Sequence, residues 1–223
     1  MARLSTLLAN SPAGWNNDRL YLPTEVSDLS KLPVNPPTGG WESLNANTAK
    51  KVSVPGTVEE YMTVSDWPQP TDFSGVSWWF RTLDIPKDLK DATFILEFGA
   101  VRMRAEVYLD GQLVAYDIVG ETPFEANVTK AIRPGEKQLL AVRVTNPGGN
   151  FHWQDFDVMN WGKYLIPPGR GFGGILGDVN LKALNPVYIS DIYMQNTPQK
   201  TKVNAIISIR NLTAVSYTHL RAH

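Results

Sequence analysis

The chain contains no cysteine. Disulfide bridges, thiolate metal sites and cysteine nucleophiles are therefore all excluded, and stability must come from packing. No apolar run approaches the roughly 18 residues of a membrane span. Residues 4–9, interrupted by Ser5 and Thr6, are too short for the apolar core of a secretory signal, so no signal peptide is visible. A charge excess of one sign is also missing: 21 basic residues face 22 acidic ones, for a formal net charge of −1. Without a basic field to meet a phosphate backbone, nucleic acid is not an expected partner, and neither is a membrane. Nor does any long stretch carry the capped 3.6-residue period of an amphipathic helix.

What is present is a chain of 223 residues, 43% of them hydrophobic, enough for one full core and the beginning of a second. Residues 1–40 are rich in Pro, Asn, Ser and Thr without sustained periodicity. They read as an irregular lead-in pinned to a larger body by Trp15, Leu20, Tyr21, Leu22 and, just beyond, Trp41. From Val52 onward, short apolar alternations separated by turn residues indicate an all-β sandwich. Phe94, Leu96 and Phe98 share one strand face, because side chains alternate with period two. Ala105, Val107 and Leu109 repeat that spacing up to Asp110-Gly111, a pair suited to a tight hairpin, after which Leu113 and Val114 resume the apolar run. Leu140, Val142 and Val144 define one face of another strand, with Arg143 on the other. Short helical turns fit residues 59–62 and 123–131. After Asn185-Pro186, residues 187–195 and 202–210 read as two more strands. Two strands do not complete a sandwich, so residues 187–214 are expected to be the truncated start of a second β domain.

The final residues, Val215-Ser216-Tyr217-Thr218-His219-Leu220-Arg221-Ala222-His223, continue neither the alternation nor any turn logic. They are similar to the one-frame translation of a transposase adapter used in sequencing libraries, which implies a non-native tail over 215–223. His219 and His223 then leave any catalytic inventory, and His152 is the remaining histidine.

The motifs Val54-Pro55-Gly56, Gly75-Val76-Ser77-Trp78-Trp79-Phe80-Arg81 and Tyr108-Leu109-Asp110-Gly111 occur in that order. They are followed by the strand ending Leu140-Ala141-Val142-Arg143-Val144 and by Gly174-Ile175-Leu176-Gly177-Asp178-Val179-Asn180-Leu181. Together they resemble the N-terminal sugar-binding domain of family 2 glycoside hydrolases, the family of β-galactosidases, β-glucuronidases and β-mannosidases. The resemblance covers residues 41–185. It implies a jelly-roll sandwich of the galactose-binding-domain type, followed by an immunoglobulin-like sandwich and a catalytic barrel that this chain does not reach. It also implies retaining hydrolysis by two glutamates whose carboxyls lie about 5–5.5 Å apart. Both belong to the barrel, so no catalytic residue is expected in this chain and the fragment alone is expected to be inactive. The compartment stays open between bacterial cytoplasm and periplasm.

The segment Phe151-His152-Trp153-Gln154-Asp155-Phe156-Asp157-Val158-Met159-Asn160-Trp161 is too aromatic for an ordinary solvated loop. In the β-galactosidases of the resembled family a Gln-Asp pair in this region contributes to the sugar pocket, and Gln154-Asp155 is similar to it. Asp155 and Asp157 are thus candidates to accept hydrogen bonds from sugar hydroxyls, and Trp153 and Trp161 to offer flat apolar faces to sugar C–H groups. No cofactor is required, although a monovalent or divalent cation held by oxygen ligands near the sugar pocket is compatible with the two carboxylates. The competing reading is that these aromatics only pack the loop against protein. Asp155 and Asp157 do not suit a catalytic pair, since both lie on one segment with no opposing wall. Gly169 to Gly174 lacks the strand–helix context and the lysine of a phosphate loop. The expected partners are a β-glycoside, met through the parent enzyme, and the C-terminal domains of the same chain. A stand-alone carbohydrate-binding module and a structural interaction domain remain the alternative readings.

Overall fold

The computed structural model describes residues 29, 32, 34–62, 75–117, 120, 122–146 and 172–212, together with the backbone of 2–7. The larger of its layers is a six-stranded sheet. It is built from β1 (Ala2–Leu7), β2 (Lys50–Val52), β4 (Gly75–Asp84), β7 (Arg104–Leu109), β8 (Gln112–Asp117) and β10 (Lys137–Asn146), in the order β2-β1-β4-β10-β7-β8. The second layer pairs β12 (Val179–Leu184), β5 (Thr93–Phe98) and β9 (Phe124–Asn127) in the order β12-β5-β9. A smaller sheet at one end joins β3 (Gly56–Thr57), β11 (Gly174–Ile175) and β6 (Val101–Arg102). A separate hairpin, β13 (Val187–Asn196) with β14 (Val203–Asn211), follows.

The spine of the large sheet is the antiparallel pair of β4 and β10, in continuous register from Asp84↔Lys137 to Gly75↔Asn146. Alternation sends Trp79 toward the second layer, where it joins Phe94, Leu96, Phe98, Val107, Val142 and Val144 in the main core. Its indole N–H stays satisfied by donating to Ser77 Oγ at 3.0 Å. Trp78 and Phe80, on the opposite face, are also buried, under Trp41, Leu44 and Ala49. The three consecutive aromatics thus serve two cores, one on each side of a single sheet.

Two turns show why the sequence closes where it does. Asp110 (φ 47°) and Gly111 (φ 81°) both adopt positive φ, the requirement of the two-residue hairpin joining β7 to β8. Gly177 lies against Gly99 and Ala100 so closely that a Cβ there would stand 2.6 Å from backbone atoms. This contact lets the chain entering β12 cross the end of β5.

The all-β expectation holds, and the helical turn near 59–62 is α1 (Val58–Tyr61), opened by a capping box between Thr57 and Glu60. Two readings need correction. The lead-in is not wholly irregular: β1 is a strand of the large sheet, pairing with both β2 and β4. Within 123–131 the helical turn is confined to its end, where the Ala131 and Ile132 N–H groups donate to the Val128 carbonyl at 2.9 and 3.0 Å, while residues 124–127 form β9, because pairing with β5 stacks Phe124 on Phe98 at 4.9 Å and outweighs a weak local helical preference.

Candidate functional site

The four sequence-predicted contact residues, Trp153, Asp155, Asp157 and Trp161, lie outside the described residues, as does the tail 215–223. The structure does place both ends of the segment that carries them. β10 runs out at Asn146, paired with Gly75, and the chain is described again from Phe172, just before β11. These two stems adjoin: the Met103 N–H donates to the Thr145 carbonyl at 3.3 Å, and Gly174 pairs with Arg102 of the neighbouring β6. The described chain therefore departs after Asn146 and is met again at Phe172 at the same end of the sandwich.

The returning stem is gripped by α1 and β6. The Val58 N–H donates to the Gly173 carbonyl at 2.8 Å. The Gly173 N–H points back to both Glu59 carboxylate oxygens at 3.4 Å. The Arg102 guanidinium lies over the Phe172 ring, 4.4 Å from its centroid, a cation–π arrangement. The capping box fixes the start of α1, so it also fixes where this stem is held.

Beneath the departing stem is a buried polar network on the outer face of the large sheet. Arg143 Nη1 donates to Glu106 Oε1 at 2.8 Å and to Thr145 Oγ1 at 3.0 Å. Arg104 Nε stands 3.6 Å from the same Glu106 oxygen. The other oxygen, Oε2, accepts from Tyr108 Oη at 2.6 Å and from Asn35 Nδ2 at 2.9 Å. Burial alone would raise the Glu106 carboxyl, but the two guanidiniums and the donated hydrogen bonds outweigh it and hold it below the ordinary value. Burial, reinforced by the Glu106 charge, pushes the Tyr108 phenol up, so it stays a proton donor. The sequence puts Arg143 on the face opposite Leu140, Val142 and Val144 and by itself points to no role for Arg104, Glu106 or Asn35. The signal was the aromatic content of that face, Trp78 and Phe80, together with Trp41 and Leu44 to cover it.

A third polar node lies at the opposite end, at the β7–β8 turn. The Asp110 carboxylate accepts from the Leu139 N–H at 2.8 Å, from Gln138 Nε2 at 3.0 Å and from Arg133 Nη2 at 2.5 Å. Partial burial would raise this carboxyl, but the three donors lower it below its ordinary range. Among the described residues, no three His, Cys, Asp or Glu side chains gather as a metal site. At the other end, where β10 runs out and Phe172 returns, the described residues supply an anchored stem.

Fold and stems define a two-layer jelly-roll domain whose chain departs after Asn146 and returns at Phe172 at one end. Residues 27–181 match the model of the glycosyl hydrolases family 2 sugar binding domain, so the chain belongs to that family through this domain. It is 27% identical over 169 residues to a β-glucuronidase of Formosa agariphila, covering 73% of this chain and 17% of that protein. It is also 27% identical over 183 residues to a β-galactosidase of Thermoanaerobacter pseudethanolicus, covering 80% and 22%. Among solved structures, an uncultured Clostridium β-glucuronidase superposes with a TM-score of 0.59 at 25% identity, over 76% of this chain and 29% of that one. A Faecalibacterium prausnitzii β-glucuronidase shares the fold, with a TM-score of 0.59 at 21% identity, over 94% and 34%. The chain spans about a fifth of the length of the two curated relatives.

Proposed function

We propose that this chain serves as the sugar-binding and bracing domain of a larger retaining β-glycosidase, with β-glucuronides and β-galactosides as the first substrates to test. The observation that carries the reading is the family match over residues 27–181. The anchored stems at one end of the sandwich, which flank the segment carrying Asp155, support it. In this reading the two catalytic glutamates lie elsewhere in the parent protein, and Asp155, with Asp157, Trp153 and Trp161, forms part of one wall of the sugar pocket. A cation near that pocket belongs to the same reading and would draw on oxygen ligands beyond the described residues. The hairpin β13–β14 is the start of an immunoglobulin-like sandwich. One of its faces, with Val187, Ile189, Ile192, Met194 and Val203 each at least half exposed, is apolar as an inner sheet face should be.

The test is kinetic. The chain alone is expected to leave 4-nitrophenyl β-glycosides intact, and Asp155→Asn in the parent is expected to lower kcat/KM by about a hundredfold through lost substrate orientation. Saturable sugar binding by the isolated chain would favour a stand-alone binding module instead.

A further inference from the structure

β5 and β9 put Glu97 and Glu125 directly opposite each other on the outer face of the second layer. Two like charges at facing positions of an antiparallel pair repel. Each is answered by a cation, and the two cations come from different units. Glu97 accepts from Lys182 Nζ at 2.8 Å, and Lys182 belongs to β12 of the same layer. Glu125 accepts from Arg210 Nη1, which lies beyond the sandwich on β14 of the hairpin. The Glu125 carboxylate, and after it Tyr188, hold the Arg210 guanidinium above its ordinary value. Tyr188 is the residue paired with Arg210 across the hairpin, and its hydroxyl is buried.

Little else among the described residues joins the hairpin to the sandwich. Only Asn185 and Pro186 separate β12 from β13, and no described strand of the sandwich packs along the hairpin. Where the two units meet, an open cleft of about 550 Å³ lies between Asp88, Leu89 and Ala92 on one side and Val187 and Tyr188 on the other. Close packing therefore does not lock the junction. A two-residue link limits how far the hairpin swings but does not choose its direction. A half-exposed ion pair favours one arrangement by up to about fivefold, which is enough to choose. Strand alternation also separates the two faces of the hairpin, with Tyr188 and Arg210 opposite to Val187 and Ile189. The contact with Glu125 thus leaves the apolar face of the hairpin to the sheet that would cover it.

We infer that Glu125 is the point at which the sandwich docks the β13–β14 unit of the same chain, with Arg210, flanked by Tyr188, as the residue it captures, and that this ion pair sets the direction in which the second unit leaves the first. The inference stands on contacts within this chain and does not need the glycosidase reading. Because the chain has no cysteine, Lys51→Cys on β2 and Lys200→Cys in the β13–β14 turn can be spin-labelled at those two sites alone, and their separation read by pulsed dipolar spectroscopy on the full chain. A single narrow distance distribution is expected at low salt. Glu125→Gln and Arg210→Gln should each broaden it by at least about twofold, and Arg210→Lys should keep it narrow. The double variant should be no broader than the broader single, as for two groups that act only through each other. Salt at about 1 M should broaden the wild type to the width of the variants, since a half-exposed pair is screened. Lys137→Gln, which breaks an ion pair with Asp84 inside the large sheet, should leave the distribution as it is. The β-sheet circular dichroism spectrum should be unchanged throughout. Three results would overturn the inference: a wild-type distribution as broad as those of the variants, single substitutions without effect, and broadening in the double variant equal to the sum of the singles. The first would leave the orientation to other parts of the parent, the second to the two-residue link, and the third would mean that the two charges act separately.

Discussion

Glu106 sits on the strand face opposite Ala105 and Val107, a position that alternation alone assigns to solvent. It is instead 4% exposed, with Arg104 and Arg143 each at 3%. A carboxylate buried this deeply persists because it is paired and fully hydrogen-bonded, and removing one partner is costly. Glu106→Gln is expected to destabilise the domain by about 3–5 kcal/mol, measured by urea unfolding. Because the folded-state pKa of Glu106 is lowered, its contribution is complete above the ordinary carboxyl value of 4.5 and is lost as pH falls through the folded pKa. The stability difference between wild type and Glu106→Gln should therefore shrink in acid below that value, and a constant difference down to the acid transition would contradict the assignment. At Phe98, fully buried and stacked on Phe124, truncation to Ala should cost about 3–5 kcal/mol, as an aromatic deletion from a packed core does. By contrast, Arg210→Ala should change stability by less than about 1 kcal/mol, since its ion pair with Glu125 lies at the surface.

Among the elements, the crossing of the β5 exit by the β12 entry is the most constrained. A methyl group on Gly177 would meet backbone at 2.6 Å, and backbone cannot swing aside as a flexible side chain can. Gly177→Ala is expected to cost about 1–3 kcal/mol, read as a lowered thermal midpoint with an unchanged β-sheet circular dichroism spectrum. The strands were legible in the sequence wherever one face was apolar and the turn chemistry explicit: β5, β7 with its Asp110-Gly111 turn, β10, and the hairpin β13–β14 all fall where alternation puts them. β1 was not legible, because in Ala2–Leu7 the apolar residues do not alternate cleanly and only pairing with β4 defines it as a strand. β9 was hidden for a similar reason, since four residues are too few for a period and Phe124 finds its partner 26 residues upstream. The covered outer face of the large sheet was half legible. Trp78 and Phe80 put aromatic side chains on that face, but nothing local indicated that Asn35, 71 residues from Glu106 along the chain, would complete the polar network.

At the scale of the whole molecule, the fold and the family belong together. The jelly-roll layers and the motif order arise from the same strands, and Asn146 and Phe172, which flank residues 147–171, are held at one end of them. The sandwich supplies rigidity and an anchored stem, and the proposed chemistry requires groups from elsewhere in the parent. The most direct test is kcat/KM of the parent enzyme toward 4-nitrophenyl β-D-glucuronide, measured for wild type and Asp155→Asn with this isolated chain as the baseline. The expected result is turnover by the parent, a loss of about a hundredfold in Asp155→Asn, and none by the chain. Hydrolysis by the isolated chain that Asp155→Asn abolishes would contradict it.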